Sequence, residues 1–78
     1  MELAKLVGEM AKALVDSPDE VVVHELKGQM TSVIELRVAK GDVGKVIGKK
    51  GRNAEALRTI LGAAAMKERK NYVLEIID

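Results

Sequence analysis

Apolar positions along this chain follow two rhythms, helical and alternating, and the rhythm changes three times. Leu3, Leu6, Val7, Met10 and Leu14 recur at helical spacing, with Glu2, Lys5, Glu9 and Lys12 mostly off that stripe. An amphipathic helix is therefore expected from about Glu2 to Val15. Asp16-Ser17-Pro18-Asp19 ends it, because the proline disfavours helical geometry at Ser17. Val21 to Lys27 is rich in β-branched residues and reads as a strand. Gly28-Gln29-Met30 is a turn, and Thr31 to Ala39 is a second strand that completes an antiparallel hairpin. Ile34, Leu36 and Val38 alternate with Glu35 and Arg37, which predicts one buried and one wet sheet face. Gly41-Asp42 opens a short helix, Val43 to Ile47, with Asp42 as its expected N-cap. Gly48 to Gly51 interrupts it. A longer helix follows from about Arg52 to Glu68, with Ala54, Leu57, Leu61, Ala64 and Ala65 on one side. Tyr72 to Ile77 is the last strand, its alternation placing Tyr72, Leu74 and Ile76 on the buried face.

The order helix, strand, strand, helix, helix, strand predicts an α+β fold. Its sheet has three strands and is mixed, with every helix packed on one face. A helical crossover joins the last two strands, so as neighbours they are parallel and the connection right-handed. Seventy-eight residues make one domain, residues 1–78,. With no cysteine and a single aromatic residue, Tyr72, the core is aliphatic and neither disulfides nor thiolate metal sites support it,. No apolar run approaches the roughly 20 residues of a membrane span. The N-terminus has neither a basic segment nor a long apolar one, so a cytoplasmic protein is expected.

The net charge of +1 conceals a polarised distribution. Between Lys40 and Arg58 lie six basic residues (Lys40, Lys45, Lys49, Lys50, Arg52, Arg58) and two acidic ones, Asp42 and Glu55. The remainder holds seven basic and ten acidic residues. An anionic polymer is steered to the first segment and repelled by the rest.

At the centre of that segment is Val46-Ile47-Gly48-Lys49-Lys50-Gly51-Arg52-Asn53. It fits neither common nucleotide-binding loop. Gly44 and Gly48 are separated by three residues, not four, and Lys49 is followed by Lys50 rather than Ser or Thr, so this is no P-loop. Nor does a Gly-x-Gly-x-x-Gly run follow a strand. One histidine, two serines and no cysteine leave little for catalysis. His24 reads as a strand surface residue, and no enzyme, cofactor or metal is implied,. What remains is clamping of a backbone. Gly48 and Gly51 let a sugar-phosphate chain approach the main chain. The N-terminus of the following helix favours negative charge, Lys49 and Lys50 add full charges, and the Arg52 fork grips a phosphate.

Val46-Ile47-Gly48-Lys49-Lys50-Gly51 followed by helix resembles the signature of the KH domain, whose Gly-x-x-Gly loop clamps about four nucleotides of single-stranded RNA. The element order is similar to the type II arrangement of that domain. The run from Asp42 to Arg52 and the ending Val73 to Asp78 resemble the small stand-alone bacterial RNA-binding proteins of the KhpA family. The resemblance covers essentially the whole chain. It implies a single-stranded RNA-binding protein, an RNA chaperone or post-transcriptional regulator, with Gly48, Lys49, Lys50 and Gly51 as the clamp. Lys45 and Arg52 supply flanking charge, and Val46, Ile47, Ala54 and Leu57 floor an apolar groove. Ala54 stands where KH domains favour isoleucine, which makes the groove shallower or wider there. Asn53, often aliphatic in the family, contacts a base or faces water.

With no aromatic to stack on beyond Tyr72, bases rest on aliphatic side chains and affinity is modest and salt-sensitive. Pairing is one remedy. On the long helix Ala56, Ile60 and Ala63 flank the core stripe, with Gly62 nearby. They form either a helix-helix contact with another chain or an extension of the core. A homodimer, or a heterodimer with another KH-containing RNA-binding protein, is expected from the resemblance. The alternative to an RNA module is a protein assembly module in which RNA contact is secondary. Lys67 to Lys70 either extends the basic face or favours the helix C-terminus.

Overall fold

The computed structural model describes residues 2–78. Helix α1 spans Leu3–Leu14 and strands β1 and β2 span Val22–Lys27 and Thr31–Arg37. Helix α2 is the short Val43–Ile47, α3 is Arg52–Glu68, and strand β3 is Asn71–Ile77. Short 3-10 turns at Pro18–Glu20, Lys40–Asp42 and Lys49–Gly51 join them. The α+β expectation holds, with β2 central, antiparallel to β1 and parallel to β3.

Pairing register decides which side chains share a face. Ser32, Ile34 and Leu36 of β2 point inward beside Tyr72, Leu74 and Ile76 of β3. On that face the core forms from Ile34, Leu36, Val38 and Leu74 with Leu3, Val7 and Ala11 of α1, Val46 of α2, and Leu57 and Leu61 of α3. Tyr72 packs at its edge, its hydroxyl donating to Glu68 Oε1 at 3.1 Å.

Three local expectations need adjustment. The first two strands are shorter than expected, since β1 starts at Val22 and β2 ends at Arg37; Val38 stays buried and donates its N–H to the Ile77 carbonyl at 3.3 Å. The inward face of α1 is Leu3, Val7, Gly8 and Ala11, with Leu6, Met10 and Leu14 only half-buried. Small residues turn inward because the helix lies close on the sheet: a Cβ on Gly8 would stand 3.2 Å from Val23 Cγ2.

The third adjustment concerns the sheet face that carries no helix. Leu26, Val33 and Val73 align across all three strands on it. Leu26 and Val73 are both exposed, so this face is a band of aliphatics beside Glu35 and Glu75 rather than plain polar surface.

Candidate nucleic-acid interface

Two glycines shape the loop between α2 and α3. Gly48 ends α2 at φ 79° and ψ 170°, a region essentially reserved for glycine,. Lys49–Gly51 make one 3-10 turn, closed by the Gly51 N–H on the Gly48 carbonyl at 3.0 Å. Lys50 (φ 59°) and Gly51 (φ 73°) both lie in the left-handed region. Gly51 is the N-cap of α3, so no side chain caps the first turn of this 17-residue helix. The Arg52 N–H is taken by the Lys49 carbonyl, and the positive end of the helix dipole lies at this turn,.

Lys49, Lys50 and Arg52 are exposed at this turn. The ion pairs among the described residues engage His24, Lys45 and carboxylates, and none engages these three cations. Three unpaired positive charges therefore cluster at the start of α3, where a helix N-terminus favours negative charge,.

Not every basic residue of the segment contributes. The Lys45 ammonium pairs with the Asp16 carboxylate and lies 3.8 Å from Asp42 Oδ1. Its hydrogen bond to Asp16, then the charges of Asp16 and Asp42, raise its pKa above the ordinary 10.5. Arg58 turns back to donate to the Leu74 carbonyl at 3.3 Å. Lys45 is thus paired with acidic groups of the protein itself.

The apolar residues expected to floor the groove divide in the same way. Val46 is fully buried, and Ala54 and Leu57 are each 4% exposed, so they support the loop from beneath. Ile47, 39% exposed, offers apolar surface beside Gly48. Asn53 is half-buried and engaged within the loop. Its Nδ2 donates to the Lys45 carbonyl at 2.8 Å. Its amide lies so close to Gly48 that a Cβ there would fall 2.6 Å from Asn53 Cγ.

Asp42 is the functional neighbour that sequence reading assigned to the wrong partner. It precedes α2 but makes no side-chain cap there. Its buried carboxylate instead accepts the Asp16 N–H at 3.2 Å and the Ser17 N–H at 3.0 Å. The only sequence signal was an aspartate after glycine, which is equally the mark of an N-cap.

Ile60 is 46% exposed, so it does not complete the core. With Met10 and Leu14 of α1 and Asn53, Ala56 and Leu57 of α3 it lines an open, mainly apolar groove of about 260 Å³. Ala63 is exposed further along α3 and does not line this groove. Among the described residues no group of three or more His, Cys, Asp or Glu side chains is placed to hold a metal ion. No described helix is long and apolar enough to cross a membrane.

Comparison with known proteins agrees with this fold. The family described as KhpA/KhpB, KH domain, matches residues 4–76. RNA-binding protein KhpA of Caldanaerobacter subterraneus subsp. tengcongensis is 55% identical, over 96% of this chain and 100% of its own. The Clostridium acetobutylicum protein of that name is 53% identical over the same shares. The Aquifex aeolicus one is 54% identical over 97% of this chain and 96% of its own. Among solved structures, a variant of Aquifex aeolicus Era superposes with a TM-score of 0.67 at 21% identity, over 96% of this chain and 29% of Era. Era in complex with MgGDPNP and a segment of 16S ribosomal RNA superposes with the same score. At that identity the likeness is one of fold.

Proposed function

This chain belongs to the KhpA/KhpB KH-domain family, and from that premise we propose that it is a single KH domain that binds single-stranded RNA. The sugar-phosphate backbone lies over Gly48 to Gly51, with Lys49, Lys50 and Arg52 on its phosphates and Ile47 against a sugar or base. The observation that carries the reading is the cluster of three exposed, unpaired cations on a turn with two positive-φ glycines. The name the relatives share, RNA-binding protein KhpA, supports it. With no aromatic at the turn, most of the free energy comes from a few phosphates, and the binding needs no catalytic group. In the cell such a domain serves as a cytoplasmic RNA chaperone or post-transcriptional regulator.

A second reading has its own observation. The exposed Ile60, in an apolar groove with Met10 and Leu14, fits contact with a second KH-containing chain. Dimerisation of this kind adds a second clamp to a weak first one.

Fluorescence anisotropy with short single-stranded RNAs at two salt concentrations tests the primary reading. Wild type is expected to bind with a log-log salt slope of roughly −0.7 per phosphate contacted. A folded Lys49→Asp, Lys50→Asp variant is expected not to bind. Equal binding by both, or none by wild type at any salt, sinks the reading and moves attention to Ile60, where Ile60→Lys would then be followed by sedimentation.

A further inference from the structure

A chain of polar contacts runs from the loop to the segment after α1. Asn53, in the first turn of α3, donates through Nδ2 to the Lys45 carbonyl in α2 at 2.8 Å. That bond spans the interruption between the two helices, with the amide seated against the bare Cα of Gly48. The same Lys45 extends its ammonium to Asp16 and Asp42. The Asp42 carboxylate in turn holds the Asp16 and Ser17 amides of the segment after α1. One residue, Lys45, is therefore gripped at both ends, its carbonyl by α3 and its ammonium by the α1–β1 connection.

We propose that Asn53 and Lys45 are positioning residues that hold the Gly48–Gly51 turn in its binding geometry without touching RNA. The inference rests on the RNA-binding reading and assigns these two side chains a role other than ligand contact. Its physical basis is the conformation of the turn. Gly48, Lys50 and Gly51 all lie at positive φ. A left-handed, non-glycine Lys50 is disfavoured in a free chain, so the turn keeps this shape only when its ends are fixed. The Gly48 N–H on the Gly44 carbonyl at 2.8 Å fixes one end. The Asn53 amide ties the other end to the same helix. A turn fixed before binding loses less conformational freedom when the phosphates arrive, and that gain appears as affinity.

Two properties separate such a residue from a phosphate contact. Its loss weakens affinity without changing the salt slope, because no counterion release is removed. Its loss also loosens the turn when no RNA is present. Asn53→Leu keeps the side-chain shape and neutrality but removes the donor, and Asn53→Ala checks that a larger apolar group is not itself responsible. Both are expected to accelerate hydrogen exchange at the Gly48 and Gly51 amides roughly 10-fold while the Leu61 and Leu74 amides stay as in wild type. RNA affinity is expected to fall roughly 3- to 10-fold, the loss of about one hydrogen bond, with an unchanged salt slope. Lys45→Gln is likewise expected to leave the slope unchanged, whereas Lys49→Gln lowers its magnitude by roughly 0.7.

Unaltered exchange at Gly48 and Gly51 in both Asn53 variants overturns the proposal. So does a reduced salt slope in any Asn53 or Lys45 variant, which would return that residue to the phosphates. The exchange measurement contains no RNA. If wild type binds none at any salt, the RNA reading fails by itself and exchange still decides whether these contacts order the turn.

Discussion

At the scale of single residues, the two glycines of the loop are required for different reasons. Gly48 combines φ 79° with ψ 170° and sits against the Asn53 amide, so a side chain there meets both a forbidden backbone region and a 2.6 Å contact. Gly51 adopts an ordinary left-handed conformation, φ 73° and ψ 13°, with nothing within 4 Å of where a Cβ would stand. Its glycine answers to backbone angle. Gly48→Ala is therefore expected to cost about 1–3 kcal/mol and to displace Asn53. Gly51→Ala should cost about 1 kcal/mol, and Gly51→Asn less, because asparagine tolerates the left-handed region. Urea denaturation of the three variants checks the order. A Gly51→Ala loss equal to that of Gly48→Ala would mean that neither the Asn53 contact nor the more restricted backbone of Gly48 adds to its cost. From sequence the two were indistinguishable members of one motif. Backbone conformation, ψ 170° against 13°, and the placement of Asn53, five residues after Gly48, separate them.

At the scale of elements, α2 is too short to hold itself, and its position comes from its neighbours. Val46 anchors one side in the core, and Asp42 anchors its start to the segment after α1. If Asp42 merely capped α2, removing it would cost about 1 kcal/mol. Because it is 3% exposed and accepts two backbone N–H groups plus the Lys45 pair, Asp42→Ala is expected to cost about 2–4 kcal/mol,. Equilibrium unfolding distinguishes the two values, and a loss near 1 kcal/mol would show that water replaces the carboxylate freely. The contrast shows what the sequence could carry. The long helix was legible to its terminal residues, because its apolar stripe and the glycine before it are local signals. Strand pairing was legible because alternation and crossover length are also local. Asp42 was not, since its partners lie 25 and 26 residues away and an aspartate before a helix looks the same in either role. The α1 face was misjudged by a small rotation for a related reason. Gly8 and Ala11 turn inward only because a sheet packs close against them, a fact of the partner rather than of the helix.

At the scale of the whole molecule, charge is sorted by direction more strictly than the sequence implies. Of the basic residues between Lys40 and Arg58, Lys45 and Arg58 donate to protein acceptors, while Lys49, Lys50 and Arg52 are exposed at the turn. The internal pairs should leave a signature in the pH dependence of stability. Lys45 has its pKa raised above 10.5 by the Asp16 hydrogen bond and by the neighbouring carboxylates. Tyr72 is raised above 10.0, first by desolvation and then by its hydrogen bond to Glu68 and by nearby acidic charge. In both cases the folded state holds its proton more tightly than the unfolded chain does. The stabilisation is complete below the unfolded values of 10.0 and 10.5 and is lost as pH rises through the higher folded ones,. The urea midpoint is therefore expected to stay level up to about pH 9.5 and to fall above pH 10. Lys45→Met combined with Tyr72→Phe removes both titrating groups and should make the alkaline fall shallower, even though the variant starts from a lower midpoint. A double variant that declines as steeply as wild type would assign the alkaline loss to general deprotonation of surface lysines. The Lys45 pair would then contribute nothing specific to holding α2, and with it the loop, against the rest of the fold.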